Sequence, residues 1–293
     1  MNIEDVIIVG AGPAGISCAI QLKRYGINPI ILEHNQIGGL AINANKIENY
    51  LGFPEGISGQ EFVNLLKKHL ENYRIEIHYE KVIDVNYKNF VFEIKTENNH
   101  YTALTLVLAT GTKEKKIENI EYDEKLSHKI HYDITKLLNS KGRTIAIIGA
   151  GDAAFDYALS LANNDNKVYI FNRTDKLKCL PLLNDRCDKH PNVKYIPNAV
   201  LTHISEKFKN LLLIFTIDNH TKIFEFDFLV FAIGREINMD YINDKFHQQF
   251  NDLRASKRLF TIGDINHKNY RQISIAVGEG IKTAMEIFDE LKY

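Results

Sequence analysis

The sequence predicts an α/β protein in which one strand–turn–helix–strand unit occurs twice, the second copy inserted in the first. Three observations carry this. Residues 6–15 (VIIVGAGPAG) and 145–154 (IAIIGAGDAA) echo one another across the chain. Each echo leads into an apolar helical stretch and a further apolar strand. A late amphipathic helix, Ile275–Leu291, with Ile281, Ala284, Met285, Phe288 and Leu291 at three- and four-residue spacing, returns to complete the first unit. The chain has 293 residues, of which 45% are hydrophobic, and about 150 residues per domain gives two domains.

In the first copy, Val6 to Val9 form a β-branched run bounded by glycine, as in a buried parallel strand. Gly10, Gly12 and Gly15 then fit G-x-G-x-x-G. The first glycine permits a tight turn, the second lets backbone approach a pyrophosphate, and the third lets helix pack on strand. The helix, Ala14–Tyr25, points its amides and dipole at the phosphates. A second strand, Pro29–Leu32, ends at Glu33, an acid placed to accept hydrogen bonds from ribose hydroxyls. Cys18, inside the helix, reads as a small core residue.

The second copy has strand Thr144–Ile148, then Gly149, Gly151 and Ala154, helix Ala153–Asn163 and strand Lys167–Phe171. No acid stands at that strand's tip. Asn172, Arg173 and Lys178 lie there instead, which favours a 2′-phosphate and hence NADP over NAD, with NAD left open. A solvated basic turn is the alternative. The predicted fold class is therefore α/β, with two Rossmann-like three-layer dinucleotide-binding domains: residues 1–111 and 237–293 form one, and residues 112–236 the other. A helix near Gly59–Tyr73 and β-rich segments at Ile75–Val85, Phe90–Thr96 and Thr102–Ala109 fill out the first. Asn210–Ile217 and Phe224–Gly234 alternate as strands do.

Composition excludes several classes. With 36 Lys+Arg against 37 Asp+Glu, there is no basic excess for nucleic acid. No run of about 18 apolar residues predicts a membrane span. Glu4 and Asp5 stand where a secretory leader carries Lys or Arg. Three cysteines (Cys18, Cys179, Cys187) without a C-x-x-C fit a reducing compartment, so a soluble cytoplasmic protein is expected. The eleven histidines show no zinc spacing, and no metal is expected; His69, His78, His100 and His220 read as surface residues.

GAGPAG near the N-terminus, ATG at Ala109–Gly111, GAGDAA, AIGR at Ala232–Arg235 and IGD at Ile262–Asp264 resemble the two-dinucleotide flavoprotein reductases. Ile47–Phe62 (IENYLGFPEGISGQEF) and Tyr270–Gly280 (YRQISIAVGEG) resemble the low-molecular-weight thioredoxin reductases, over nearly the whole chain. The resemblance implies FAD along the first domain, NAD(P)H on the second, and a homodimer. By it, Gly10, Gly12, Pro13, Ala14 and Gly15 would hold the FAD pyrophosphate and Glu33 the adenosine ribose. Gly39 and Asn49 would lie along the flavin side, and Val82 by the adenine. Thr110 and Gly111 would pass close to the cofactor, and Asp264 would bind the ribityl chain or phosphate. Arg271, Gln272 and Ile273 would set a helix N-terminus near the flavin pyrimidine ring. Gly149, Gly151, Asp152, Ala153, Ala154, Asn172, Arg173 and Lys178 would hold the NAD(P).

Thioredoxin reductases carry C-x-x-C just before the second glycine motif. This chain has Ile130–Thr135 (IHYDIT) there, and no cysteine lies between Cys18 and Cys179. A dithiol relay needs an attacking and a resolving thiol. Cys179 and Cys187 are eight residues apart, and their role is left open, as are those of His131 and Tyr132. The stretch His131-Tyr132 followed by Gly149–Leu159 (GAGDAAFDYAL) is similar to the thioredoxin-reductase-like ferredoxin (flavodoxin)–NADP reductases, although no flavin-covering C-terminal extension like theirs is expected after the last helix. The resulting expectation is an FAD-dependent NAD(P)H oxidoreductase without a redox-active disulfide and without a proton-transfer catalyst, since hydride transfer is flavin-centred. Its expected partner is a ferredoxin- or flavodoxin-type carrier, steered by Lys113, Lys115, Lys116, Lys136, Lys141 and Arg143. The alternatives are reduction of a small disulfide, quinone or oxygen, or a catalytically weak flavin- or nucleotide-binding sensor.

Overall fold

The computed structural model describes residues 3–118 and 120–291. The chain divides into two compact units: Met1–Ile42, Glu48–Lys113 and Glu236–Tyr293 form one, and Asn43–Ile47 with Glu114–Arg235 the other.

The first unit opens with β1 (Ile3–Val9), α1 (Pro13–Arg24) and β2 (Ile30–Glu33). It continues through α2 (Gly59–Asn72), β3 (Ile77–Tyr79), β4 (Val82–Lys88), β5 (Val91–Thr96) and β6 (His100–Leu108). Pro13 stands in the first turn of α1, where its missing N–H costs nothing. α2 is started by a capping box: Ser58 Oγ accepts the amide of Glu61, and the Glu61 carboxylate accepts the amide of Ser58. β7 (Thr112–Glu114) leads out of this unit.

The second unit contains β8 (Ile130–His131), β9 (Thr144–Ile148), α3 (Asp152–Ala162), β10 (Lys167–Phe171) and α4 (Pro181–Lys189). Then come β11 (Val193–Ile196), β12 (Ala199–Lys207), β13 (Asn210–Ile217), β14 (His220–Phe226) and β15 (Phe228–Phe231). β16 (Arg235–Ile237), paired with β7, leads back to α5 (Asp244–Ala255), β17 (Leu259–Thr261) and α6 (Ile273–Leu291) in the first unit.

In the first unit β3-β2-β1-β6 are parallel, and β17 joins the C-terminal half of β6, also parallel. The N-terminal half of β6 pairs antiparallel with β5, and β5 with β4. Alternate residues of β1 serve two cores. Val6 and Ile8 face α1 and α6, while Ile7 and Val9 face β4, β5 and α5. A strand buried on both faces is apolar throughout, which is why Val6–Val9 shows no alternation.

The second unit repeats the plan. Its parallel sheet is β11-β10-β9-β15-β8. Ile145 and Ile147 face α3 and α4, and Ala146 faces the antiparallel meander β12-β13-β14. Both units thus carry helices on one sheet face; the other is covered by β4, β5 and α5 in the first unit and by the β12-β13-β14 meander in the second.

The structure corrects several expectations. Phe224–Gly234 is not one strand: β14 belongs to the meander and β15 to the parallel sheet. The break falls at Asp227, whose Oδ2 accepts the Thr144 amide at 2.8 Å while its own amide donates to the Thr144 carbonyl at 2.8 Å. α6 starts at Ile273, two residues before the apolar spacing places it. α4 and α5 escaped the sequence pattern; Asn243 caps α5, accepting the Phe246 amide at 2.9 Å. His78 is half-buried, with Nδ1 3.3 Å from Tyr101 Oη. Asn43–Ile47, unmarked in sequence, packs within the second unit: Asn43 Oδ1 accepts from Thr135 Oγ1 at 2.9 Å, and the Asn45 amide donates to Asp156 Oδ2 at 2.9 Å. Among the described residues no helix is long and apolar enough to cross a membrane, and no cluster of three or more His, Cys, Asp or Glu is arranged to hold a metal.

Candidate nucleotide-binding sites

In each unit the candidate residues collect at the carboxyl ends of the parallel strands, where strand order reverses: between β1 and β6, and between β9 and β15. Open α/β sheets bind ligands at such points.

The two glycine turns are built alike. The Gly10 amide donates to the Leu32 carbonyl at 2.8 Å, and the Ala109 amide to the Val9 carbonyl at 2.8 Å. In the second unit the Gly149 amide donates to Phe171 at 3.0 Å, and the Ala232 amide to Ile148 at 2.8 Å. Gly10 has φ +109° and Gly149 φ +146°, and a Cβ on either would lie 2.4 or 2.3 Å from the carbonyl oxygen of Ala109 or Ala232. Only glycine fits there.

Gly12 and Gly151 differ from these. Each precedes its helix in extended backbone, neither supplies a capping side chain, and a Cβ on either would meet nothing within 4 Å. The helix starts therefore present amides and a positive dipole end to open space, which is what an extended pyrophosphate needs. A Cβ on Gly39 would lie 3.6 Å from the Gly12 Cα, so the 36–43 loop borders this space; Gly38 anchors that loop by donating to the Ala11 carbonyl at 2.8 Å. On these grounds the residues present fit a dinucleotide in each unit.

Around the first turn, Glu33 is 6% exposed. Its Oε2 accepts the Ala11 amide at 2.8 Å, and its Oε1 the Asn35 amide at 2.8 Å. Burial works to raise this carboxyl, but hydrogen bonds from His34 and these two amides outweigh it and hold the group below the ordinary glutamate range. Pro13, Ala14 and Gly15 form the first turn of α1. The Thr110 hydroxyl donates to the Asn238 carbonyl at 2.8 Å and lies 2.9 Å from Tyr241 Oη, so Thr110 and Gly111 would meet a ligand through backbone. Val82 is 7% exposed in the core cluster beneath β4, which narrows its expected ligand contact to main chain. Asp264 follows β17 in the Gly263–Asn266 turn. Asn49 Nδ2 donates to Gln272 Oε1 at 2.8 Å, Arg271 Nε to the His267 carbonyl at 2.9 Å, and Ile273 begins α6.

Around the second turn, Lys178 donates its amide to the Ala150 carbonyl at 3.0 Å, drawing the basic turn beside the glycine loop. Asp152 accepts the Leu180 amide at 2.7 Å, and Ala153 and Ala154 follow it in α3. Arg173 and Lys178 are exposed. Asn172 directly follows β10, whereas Glu33 is the last residue of β2. The expectation for Asn172 is corrected: its side chain is buried, donating to the Lys176 carbonyl and Tyr195 Oη at 3.0 Å each, so it shapes the turn rather than offering a free side-chain group.

His131 lies on β8, paired with Val230, its ring 5.7 Å from Phe228 and its Nε2 buried without a hydrogen bond among the described residues. Burial, supported by Lys136 and His128 against Asp133, pushes its pKa down, so it packs as a neutral ring. Tyr132 stacks on Phe231 at 5.4 Å under Lys116 Nζ. The cationic stretch is partly neutralised: Lys113 pairs with Asp240 at 2.5 Å and Glu236 at 3.4 Å, Lys116 with Glu114 at 2.9 Å, and Arg143 with Asp227 at 3.3 Å. Lys115, Lys136 and Lys141 are exposed.

All three cysteines are free thiols. Cys18 is buried in α1 and Cys187 in α4, and Cys179 is half-buried. Burial pushes all three pKa values up, that of Cys187 to about 12, which disfavours the reactive thiolate.

The sequence matches the family described as Pyridine nucleotide-disulphide oxidoreductase over residues 4–280. The chain belongs to this family. The chain is similar to a thioredoxin reductase of Borreliella burgdorferi (27% identical, covering 99% of this chain and 93% of that one). It is similar also to a thioredoxin reductase of Bacillus subtilis (29% identical, 98% and 94%). The solved thioredoxin reductase of Lactococcus lactis superposes with a TM-score of 0.83 at 25% identity, covering 98% of both chains. As a pyridine nucleotide-disulphide oxidoreductase, and most like thioredoxin reductase, the chain is a flavoprotein of the α/β, two-Rossmann-domain class whose members use FAD and NADPH.

Proposed function

We propose that this flavoprotein works without a redox-active disulfide, exchanging electrons between NAD(P)H and a ferredoxin- or flavodoxin-type carrier through FAD. One observation carries the reading: the three thiols lie in or beside α1 and α4, buried wholly or in part and raised in pKa, while the segment before β9 holds His131 and Tyr132. The flavin, when bound, accepts a hydride and releases electrons singly or in pairs.

The chain's own residues then bind and orient. In residues 1–111 and 237–293, the α1 start at Pro13–Gly15, donating through the Ala14 and Gly15 amides, would hold the FAD pyrophosphate, Glu33 the ribose, and Gly39, Asn49, Val82, Thr110, Gly111, Asp264 and Arg271–Ile273 the remainder. In residues 112–236, Gly149, Gly151 and the α3 start would hold the NAD(P) pyrophosphate, with Arg173 and Lys178 on a 2′-phosphate. Exposed Lys115, Lys136 and Lys141 support steering of an acidic carrier. The protein acts in the cytoplasm as a homodimer.

A second reading draws on the names of the relatives: reduction of a disulfide, of thioredoxin or of a small molecule. It is discriminated by acceptor choice.

Anaerobic mixing of the FAD-loaded protein with NADPH, and separately NADH, is the test. Rapid flavin bleaching, faster with NADPH, followed by salt-dependent reoxidation by ferredoxin or flavodoxin, is expected. No bleaching by either nucleotide, or reoxidation only by disulfides, overturns the carrier reading.

A further inference from the structure

The turn that carries Asp264 is clamped by a carboxylate from α6. Glu279 Oε2 accepts the Gly263 amide at 2.6 Å and Asn266 Nδ2 at 3.2 Å, and Oε1 pairs with His267 Nε2. One acid thus grips the residue before Asp264 and the second and third residues after it. Asn266 is itself tied back to Thr261, donating to its carbonyl at 2.6 Å. His267 in turn offers its carbonyl to Arg271 Nε at 2.9 Å, so the same histidine links the Asp264 turn to the segment that opens α6.

α6 is locked in its turn onto α1. Ser17 Oγ donates to the Val277 carbonyl at 3.1 Å, and a Cβ on Gly280 would lie 2.1 Å from Ser17 Oγ and 2.3 Å from the Ala14 carbonyl oxygen. The side chain of Glu279 therefore projects from backbone that has no freedom to slide along α1. A continuous set of contacts runs from the first turn of α1, through Gly280 and Glu279, to Gly263 and Asn266 in the turn that carries Asp264, and through His267 to Arg271.

We propose that Glu279 and His267 are positioning residues for the flavin: they set Asp264 and the Arg271–Ile273 segment at a fixed distance from the phosphate-facing end of α1. The proposal rests on the reading of this unit as the FAD site. Three donors converge on one carboxylate, which a neutral side chain with a single acceptor oxygen cannot satisfy. A looser turn would let the ribityl-facing and ring-facing groups drift relative to the pyrophosphate amides.

The test titrates FAD into apoprotein, followed by flavin fluorescence, for wild type, Glu279→Gln, Glu279→Ala, His267→Gln and His267→Ala. For each FAD-saturated protein, the flavin absorption spectrum and midpoint potential are then recorded. Glu279→Ala is expected to weaken FAD binding by about tenfold or more and to shift both spectrum and potential, with Glu279→Gln between it and wild type. His267→Gln, whose amide donates to Oε1 in place of the imidazole, is expected to stay within about twofold of wild type, and His267→Ala is not. Where Glu279→Ala fails to fold by circular dichroism, Glu279→Gln and the histidine pair decide. Wild type that binds no FAD overturns the underlying site reading. Wild type that binds FAD, beside variants with unchanged affinity, spectrum and potential, overturns the positioning role alone. So do variants that lose only thermal stability and regain the wild-type spectrum and potential once saturated.

Discussion

Glu33 accepts the amide proton of Ala11 at 2.8 Å, so the acid at the tip of β2 braces the middle of the first glycine turn. The same carboxylate holds the Asn35 amide, and its pKa is lowered from 4.5. A depressed carboxyl stabilises the fold fully above its unfolded value, and that contribution is lost as pH falls through the lower folded value. Unfolding midpoints in denaturant, measured from pH 7 down to pH 3, should therefore fall more steeply for wild type than for Glu33→Gln, the difference appearing below about pH 4.5.

The glycine turns separate folding from binding. Gly12→Ala places a methyl in open space, so stability should change by no more than about 0.5 kcal/mol, while FAD affinity falls by roughly tenfold or more. Gly151→Ala should do the same for NADPH and leave FAD bound. Gly10→Ala meets the Ala109 carbonyl at 2.4 Å with φ +109° and should cost about 2 kcal/mol or more. Urea unfolding and nucleotide titrations check all three; equal binding loss in Gly12→Ala and Gly151→Ala for both nucleotides contradicts the assignment of one site per unit.

Nucleotide choice should rest on Arg173 and Lys178. Replacing both by alanine should raise the KM for NADPH by about tenfold, the worth of a charge-assisted contact, and leave that for NADH within twofold. An equal effect on both nucleotides would mean that these cations act on shape and not on the 2′-phosphate.

The thiols should be dispensable. A Cys18→Ala, Cys179→Ser, Cys187→Ala protein should retain flavin reduction by NADPH and transfer to a one-electron carrier within about threefold. Retained flavin reduction with lost acceptor reduction would establish a thiol relay.

Much of this was legible in advance because it rests on local chemistry. β9 and β10 announce themselves as apolar runs, and Gly10, Gly12, Gly149 and Gly151 as turn residues whose backbone demands are local. What stayed hidden depends on partners far along the chain. Ala109 and Ala232 matter through a carbonyl, which every residue possesses. Asn172 reads the same in sequence whether it faces solvent or Tyr195. Glu279 looks like one more charge on a helix until its 16-residue reach to Gly263 is seen. The alternation of Phe224–Asp227 runs directly into the apolar run Phe228–Phe231 with no glycine or proline between them, so two strands of different sheets read as one. Beyond Glu114 within it, the acids that oppose the basic stretch, Asp227, Glu236 and Asp240, lie remote in sequence.

The packing of α6 on α1 also sets an order of assembly during synthesis. Apart from Asn43–Ile47, the second unit draws on one uninterrupted stretch, Glu114–Arg235, that leaves the ribosome whole. The first unit needs β17 and α6, which emerge last, to close against α1 and β6. A nascent chain arrested shortly after β16 would then hold a protease-resistant nucleotide unit between two unstructured flanks. Flavin would be captured only as a late step, after the final helix is released.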